Sequence, residues 1–377
     1  MSKHQVWLCD DRGKQLQLLE DLRQFSYVHT VNGVGAFTLV SGATISQDFL
    51  RRDRQIQIWR KPIGGILKLD FLGFLNRWKY TESAGNLSSI VLSGVDSNEL
   101  LKRRIVAEKA ESTYAGDTAE IDDMMKGIVT RSLGSGAAAG RILTADGFFV
   151  DVDKTAGAEL TKRFAWRNVL ELLQDLSQTS RTSSPEVFFG VYVDKIGTGF
   201  PGTIELKFKT FINQPGIDRT VIVVGSAKPF SVELGTLSEP HLEYDYSGEI
   251  NYLYVGGPGQ ADARRLVETS DDDSIGQSWL GRREGFYNAS GAEDTDAAVL
   301  DEALGELQAN RGIIRFGGIV LNTPESQYGI HWGLGDKVPI FIFGRELSGI
   351  IRQIKVSVDS NDNETVTAVI EGEYSLV

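Results

Sequence analysis

The sequence predicts a β-rich α+β chain, and three observations carry that expectation. The first hundred residues run as short apolar stretches separated by turn-forming residues at close spacing. Two amphipathic helical stripes then interrupt the pattern. Alternating strand patterns resume near residue 203 and continue towards the last residues. A chain of 377 residues suggests two to three domains at about 100–200 residues each. Hydrophobic residues make up 41% and charged residues 24%. That is ordinary globular composition, which rules out disordered and low-complexity classes.

In chain order, Gln5–Cys9 and Leu16–Leu19 flank Asp10-Asp11-Arg12-Gly13, a hairpin-turn composition. Phe25–Thr30 and Ala36–Ser41 flank a second turn signal, Asn32-Gly33-Val34-Gly35. Gln55–Arg60 alternates polar and apolar residues, Leu67–Asn76 follows Pro62-Ile63-Gly64-Gly65, and Ser88–Val95 reads as a further strand. This spacing suggests a small barrel or sandwich over residues 1–95. Asp96–Arg104 reads as a short helix capped by Asp96 or Ser97. Asp117-Thr118-Ala119-Glu120 has a capping-box pattern, ahead of Ile121, Met124, Met125, Ile128 and Val129 on one helical face.

Leu133–Gly140 reads as a linker. Trp166, Val169, Leu170, Leu173 and Leu176 form a second stripe, and Ser177–Pro185 a polar loop. Residues 96–202 are therefore expected to form an inserted mixed α/β domain. Thr203–Phe211 alternates cleanly, followed by Thr220–Gly225 and Phe230–Leu234. Residues 203–238 are expected to supply strands that return to the first barrel. Residues 239–331 form an acidic mixed region with one helix at Asp296–Asn310, its apolar face holding Val299, Leu300, Ala303, Leu304 and Leu307. Val338–Phe343, Ile350–Val358 and Thr365–Glu371 close the chain as strands over residues 332–377.

Motifs for chemistry mostly fail. Gly256-Gly257-Pro258-Gly259 follows a strand but lacks the spacing of a dinucleotide loop, so a turn is expected. Asp359-Ser360-Asn361-Asp362-Asn363 imitates a calcium loop, with Glu364 and Ile370 where Gly and Glu belong. A turn between the last two strands explains it better. His4, His29, His241 and His331 have no zinc spacing, and the single Cys9 excludes an intramolecular disulfide. No catalytic, cofactor-binding or metal-binding residue is assigned, and no cofactor is expected. Carboxylate pairs assemble in space, so glycan hydrolysis stays open as an alternative. Trp59, Trp78 and Tyr80 with Arg51, Arg52, Arg54, Arg60 and Lys61 suggest either a nucleic-acid stacking surface or an ordinary barrel interface. The N-terminus lacks the apolar run of a signal peptide, and no apolar run approaches a helical membrane span.

The net charge is −12. Residues 239–310 hold 16 acidic against 4 basic residues, which accounts for all of it. Residues 1–110 hold 16 basic against 11 acidic. An acidic chain is a poor nonspecific binder of duplex DNA. The acidic stretch is either a solvated face or a surface that repels anions or meets a basic partner.

Five motifs stand in order along the chain: Asn32-Gly33-Val34-Gly35-Ala36-Phe37-Thr38-Leu39, Arg54–Arg60, Phe71-Leu72-Gly73-Phe74, Leu92–Leu101 and Leu334-Gly335-Asp336-Lys337-Val338. Their order resembles the siphophage tail hub family, related to the trimeric baseplate hub of contractile tails. The resemblance implies two small tube-like β-barrel domains, with an inserted mixed domain and a helix-containing C-terminal insertion. It implies a homotrimeric virion protein at the tail tip, made in the host cytoplasm. Its implied partners are a distal tail protein, the tape-measure protein, and tip or fibre proteins. Phage DNA would pass through without sequence-specific binding, and no enzymatic activity is expected. Any lytic or receptor-binding part is expected on another polypeptide. Asp271, Asp272, Asp273, Glu293, Asp294 and Asp296 are the candidate lumen-facing or partner-facing residues. The alternatives are a tail-associated cell-wall hydrolase and a carbohydrate-binding adhesin.

Overall fold

The computed structural model describes residues 3–42, 45–82, 88–107, 115–164, 166–183, 185–196, 204–220, 229–260, 263–290 and 295–375. The chain divides into two compact units, Met1–Glu239 with Gly318–Ile370, and Pro240–Gly317 with Glu371–Val377. Among the described residues, no helix is long and apolar enough to cross a membrane.

In the first unit, β1 (His4–Cys9), β2 (Gln15–Leu18), β3 (Leu22–Thr30) and β4 (Ala36–Gly42) lie within a few residues of the predicted runs. So do β5 (Gln55–Arg60), β6 (Lys68–Thr81) and β7 (Ser89–Asp96). Alternation decides their faces: Phe37, Leu39 and Ser41 of β4 are buried, whereas Ala36 and Thr38 are exposed. Asn32, at φ 54, supplies the left-handed residue of the β3–β4 turn.

The insertion follows. It contains α1 (Glu99–Lys102), β8 (Ala115–Glu120), α2 (Ile121–Ser132), β9 (Phe148–Val150), β10 (Glu159–Phe164), α3 (Val169–Ser183), β11 (Val187–Ile196) and β12 (Ile204–Ile212). The predicted α2 face is buried throughout, and Leu170, Leu173 and Leu176 of α3 join the same core. The structure differs from the sequence expectation at four places here. Asp117–Glu120 is no capping box: it belongs to β8, which pairs antiparallel with β10, so ladder bonds replace the cap. Ser177–Pro185 is mostly helix, because Ser177 and Ser180 bury their hydroxyls on Val187, at the start of β11. Trp166 lies outside the stripe, at φ 58 and 62% exposed. The clean strand β12 does not return to the first barrel but pairs with β11 and β9. Its inward residues Ile204, Leu206 and Phe208 find the α2–α3 core. Residues 221–228 lie outside the described ones, and Phe230 makes only a single bridge, to Ile340.

The second unit contains most of β13 (Leu237–Asp245), then β14 (Tyr252–Gly256), β15 (Leu266–Ser270), α4 (Asp272–Gln277), β16 (Glu284–Asn288), α5 (Asp296–Ala309) and most of the start of β17 (Ile313–Leu321). Among its described residues there are two helices where one was expected. Its core joins Leu253 and Val255 of β14 to Val299, Ala303 and Leu307 of α5. Leu300 and Leu304, assigned to the same face, are 37% and 44% exposed. The α5 stripe is narrower than its sequence, because a three-stranded sheet covers only one side of the helix.

The chain closes with β18 (Lys337–Ile342), β19 (Arg345–Val358) and β20 (Glu364–Ser375). As expected, Asp359–Asn363 is the β19–β20 turn, with Asp362 at φ 61. Among the described residues these late strands belong to the same sheet as β1–β7. β19 pairs antiparallel with β3, from Gln353 opposite Thr30 to Val358 opposite Phe25. The strand order runs β20-β19-β3-β4-β7-β6-β5-β1-β2, with β18 on β19. β17 pairs with β20 and with β13. Two small tube-like β-barrel domains were expected, and among the described residues no closed barrel is found. Side chains do the joining instead.

Candidate functional site: a polar clasp and two charged surfaces

Arg60 of β5 donates to both oxygens of Glu364 of β20, at 2.8 and 2.6 Å. His4 of β1 meets the same carboxylate at 2.7 Å. Strands far apart in the ladder are thus clasped by a bidentate, charge-assisted pair, among the strongest hydrogen-bonded contacts available. Burial alone would raise the Glu364 pKa, but the bonds from Arg60 and His4 prevail and hold it down at about 2. Beside the pair, Asp70 of β6 accepts from Tyr27 Oη at 2.5 Å and from Tyr328 Oη at 2.9 Å. Burial and the Asp70 charge push both phenols up. The Arg60 guanidinium also lies 4.8 Å from the Tyr328 ring centroid, within cation–π range.

A cavity of about 600 Å³ adjoins this network, with His29, Lys68, Asp70, Asp96, Tyr192 and Asp194 on its wall. Its carboxylates are engaged internally. Asp96 accepts from the backbone amides of Gly35 at 2.8 Å and Asn98 at 3.0 Å. Burial raises the Asp96 pKa to about 6, against the pull of those amides. Asp194 binds Lys207 at 2.8 Å and Lys209 at 2.9 Å. Desolvation pushes the His29 pKa down.

The residues that carried the family likeness turn out to be joints. Asn98 donates to Gly33 O and accepts from Val191 N, at 2.6 and 2.7 Å. Asn32 donates to Ser177 Oγ and accepts from Phe189 N. Together they bind the insertion's α3 and β11 to the β3–β4 turn. Gly35 is required there: a Cβ would sit 2.3 Å from Val28 O and 2.6 Å from Asp96 Oδ2. Asp336 performs a similar task for residues 216–219, accepting from Ile217 N at 2.7 Å and Arg219 Nε at 2.6 Å. Cys9 is fully buried, and desolvation pushes its thiol up to about 12, far from a reactive thiolate.

Asp122, Asp123 and Asp153 bring carboxylate oxygens within 4.8 Å of one another. Lys126 already occupies the place of a cation, 2.8 Å from Asp122 and 4.0 Å from Asp153. Burial, reinforced by its acidic neighbours, raises the Asp123 pKa to about 7.

The candidate acidic residues divide by role. Asp271 caps α4 through Ser274 N and pairs with Arg311 at 3.1 Å, so it serves the fold. Asp296, exposed in the first turn of α5, pairs with Arg265. Asp272 accepts from Ser270 Oγ at 2.8 Å, and both Asp272 and Asp273 are exposed. Glu293 and Asp294 lie outside the described residues. The same unit carries an apolar and aromatic surface that no sequence motif marked. The β14–β16 face away from α5 exposes Tyr254, Leu266 and Phe286 beside Glu268 and Glu284. Arg282 lies over Tyr252, and Arg264 over Phe286. Trp279 and Leu280 are 92% and 71% exposed. Period-two spacing at Tyr252 and Tyr254 was the available signal.

Among the described residues, those expected to form a stacking surface are divided among separate contacts. Arg60 is in the clasp, Trp59 is half-buried and donates to Gln57, and Arg54 pairs with Asp11. Trp78 and Tyr80 are exposed near the end of β6.

This architecture is that of solved phage tail proteins. The tail protein from Neisseria meningitidis MC58 shares 12% identity at a TM-score of 0.52, over 98% of this chain and 96% of that one. The 43 kDa tail protein of prophage MuSo2 from Shewanella oneidensis shares 13% at 0.52, over 97% of each. Prophage tail protein gp18 from Listeria monocytogenes EGD-e shares 12% at 0.50, over 98% and 94%. Residues 5–370 match the family described as Siphovirus ReqiPepy6 Gp37-like protein, and the chain belongs to that family. No curated protein matches the sequence.

Proposed function

We propose that the chain is a structural tail-tip hub of a siphophage, a homotrimer joining the tail tube and distal tail protein to a threefold tip. The observation that carries this reading is a fold coextensive with phage tail proteins along almost the whole chain. The interior chemistry supports a scaffold: the clasp, the Asn32 and Asn98 joints and Asp336 spend their polar groups holding strands together. The segment after β7, which the pairing of β12 extends past residue 202 to Ile212, serves as an insertion on that scaffold. Concentration of the negative charge in residues 239–310 suits a conduit that must pass DNA without gripping it, since acidic residues repel phosphates. The exposed acids Asp272 and Asp273 are the described candidates for such a face. The tape-measure protein and tip or fibre proteins complete the partner set, and the role requires no catalysis.

The test is direct. Antibody to this chain should label the tip of purified tails, and three copies per tail should be recovered. Label along the tube, or none, overturns the hub role. A second reading, carbohydrate binding at the tip, is favoured by the exposed Tyr254 and Phe286 beside Glu268 and Glu284. Loss of host-glycan binding on Phe286→Ala would support it, and absence of glycan binding by the intact chain would remove it.

A further inference from the structure

Beyond Leu75, β6 loses its second neighbour. β5 pairs with it as far as Phe74, and the last backbone hydrogen bond on that side runs from Asp53 N to Leu75 O, with the Arg103 side chain reaching Asn76 beyond it. The register with β7 shifts across Asn76, and residues 77–81 continue to pair with β7, but among the described residues no strand pairs with their other edge. All of them are exposed. Arg77 and Lys79 lie opposite Ser93 and Val91, whereas Trp78 and Tyr80 lie opposite the buried Leu92 and Ile90. The edge therefore alternates basic and aromatic, and its aromatic side prolongs the apolar face of β7. Trp78 and Tyr80 remain 43% and 44% exposed.

β13 ends the strand order, and among the described residues it pairs with β17 alone. Its sequence from Glu239 to its end, Glu239-Pro240-His241-Leu242-Glu243-Tyr244-Asp245, alternates in the complementary sense. Glu239, His241 and Glu243 are exposed, and Glu243 keeps its side chain 61% exposed although Arg315 lies 3.8 Å away. Leu242 and Tyr244 take the alternate positions. Side-chain period two makes register decisive: setting acids beside Arg77 and Lys79 also sets Leu242 and Tyr244 beside Trp78 and Tyr80. Both preferences are met at once, and a one-residue slip loses both.

We propose that β13 of one copy of this chain adds as a strand to the bare 77–81 edge of β6 in a second copy. The contact is heterologous, so repetition closes a ring or propagates. Backbone bonds supply the ladder and the alternate side chains the specificity, as in strand addition. The proposal deepens the hub reading, since it names the surface through which copies would meet.

Lys79→Cys and Glu243→Cys proteins, prepared separately and then mixed and oxidised, test it. Cys9 is buried and leaves the background low. Disulfide dimers are expected in the mixture and in neither protein alone. Lys79→Glu and Glu243→Lys should each weaken self-association about tenfold, and the two together in one chain should restore it. An edge whose charges merely keep it unpaired would give no mixed cross-link and no restoration, and either result overturns the proposal. So does an intact chain that stays monomeric at high concentration. Tip labelling with no cross-link sinks the edge pairing and leaves the hub role standing, whereas absence from tails sinks the hub role itself.

Discussion

At the scale of single residues, the buried Arg60–Glu364 pair is the contact most exposed to pH. The Glu364 pKa falls from an ordinary 4.5 to about 2 on folding. A depressed carboxylate stabilises the fold above the unfolded value, and that gain is lost as pH falls from about 4.5 towards 2. At about 1.4 kcal/mol per unit, the gain is at most about 3 kcal/mol. Glu364→Gln should therefore lower the unfolding free energy by roughly 3 kcal/mol at pH 7, by leaving Arg60 buried and unpaired. Denaturant titration at pH 7 and pH 3 checks this, and the penalty should shrink at the lower pH. Asp96 works in the opposite sense. Its value rises from 3.8 to about 6, so stability is lost as pH rises through that window. Asn98→Ala strands Gly33 O and Val191 N and should cost about 2–4 kcal/mol, read as a fall in thermal midpoint. Asn98 was legible as part of a family motif, but its partners lie 65 and 93 residues away, and no local pattern encodes them.

At the scale of elements, strands β1, β3, β4, β5 and β7 follow their sequence runs closely, because period-two burial leaves a local mark. Strands β8, β10 and β13 carry polar or mixed residues and gain their identity from partners instead. The Asp117–Glu120 segment shows the conflict plainly. Its side chains suit a helix cap, yet the β10 ladder offers more bonds and makes it a strand. Helix α5 tests the same lesson. Leu307 is 4% exposed, and Leu307→Ala should cost about 2–4 kcal/mol in urea unfolding. Leu300→Gln and Leu304→Gln should change stability by less than about 0.5 kcal/mol despite their place in the same apparent stripe. Equal costs at all three positions would show that the narrow face is wrong.

At the scale of the whole molecule, the chain is a polar-jointed scaffold whose charge is sorted along its length. Residues 1–110 are net basic, and residues 239–310 carry the entire negative excess. Contacts between copies that bring these stretches together should weaken with salt, because exposed charges are screened beyond about 8–10 Å near 0.1–0.15 M. Sedimentation between 50 mM and 500 mM NaCl should show dissociation as salt rises, whereas association that strengthens with salt would point to a purely apolar interface. Of the candidate acidic site, the sequence located the charge but not its use. Asp271 resembled its neighbours until the structure set it on Ser274 and Arg311, leaving Asp272 and Asp273 on the surface.

The sequence by itself determined the β-rich class, the helical interruption, the turns at Asn32 and Asp359–Asn363, and the acidic stretch. Each of these is a local pattern of polarity, backbone preference or charge. Only the tertiary structure decided that β19 joins β3, that β12 belongs to the insertion, and that Arg60, His4 and Glu364 clasp strands 304 to 360 residues apart. Strand pairing is chosen by which bare edges and apolar faces meet in space. The alternation that marks a residue run as a strand does not name its partner.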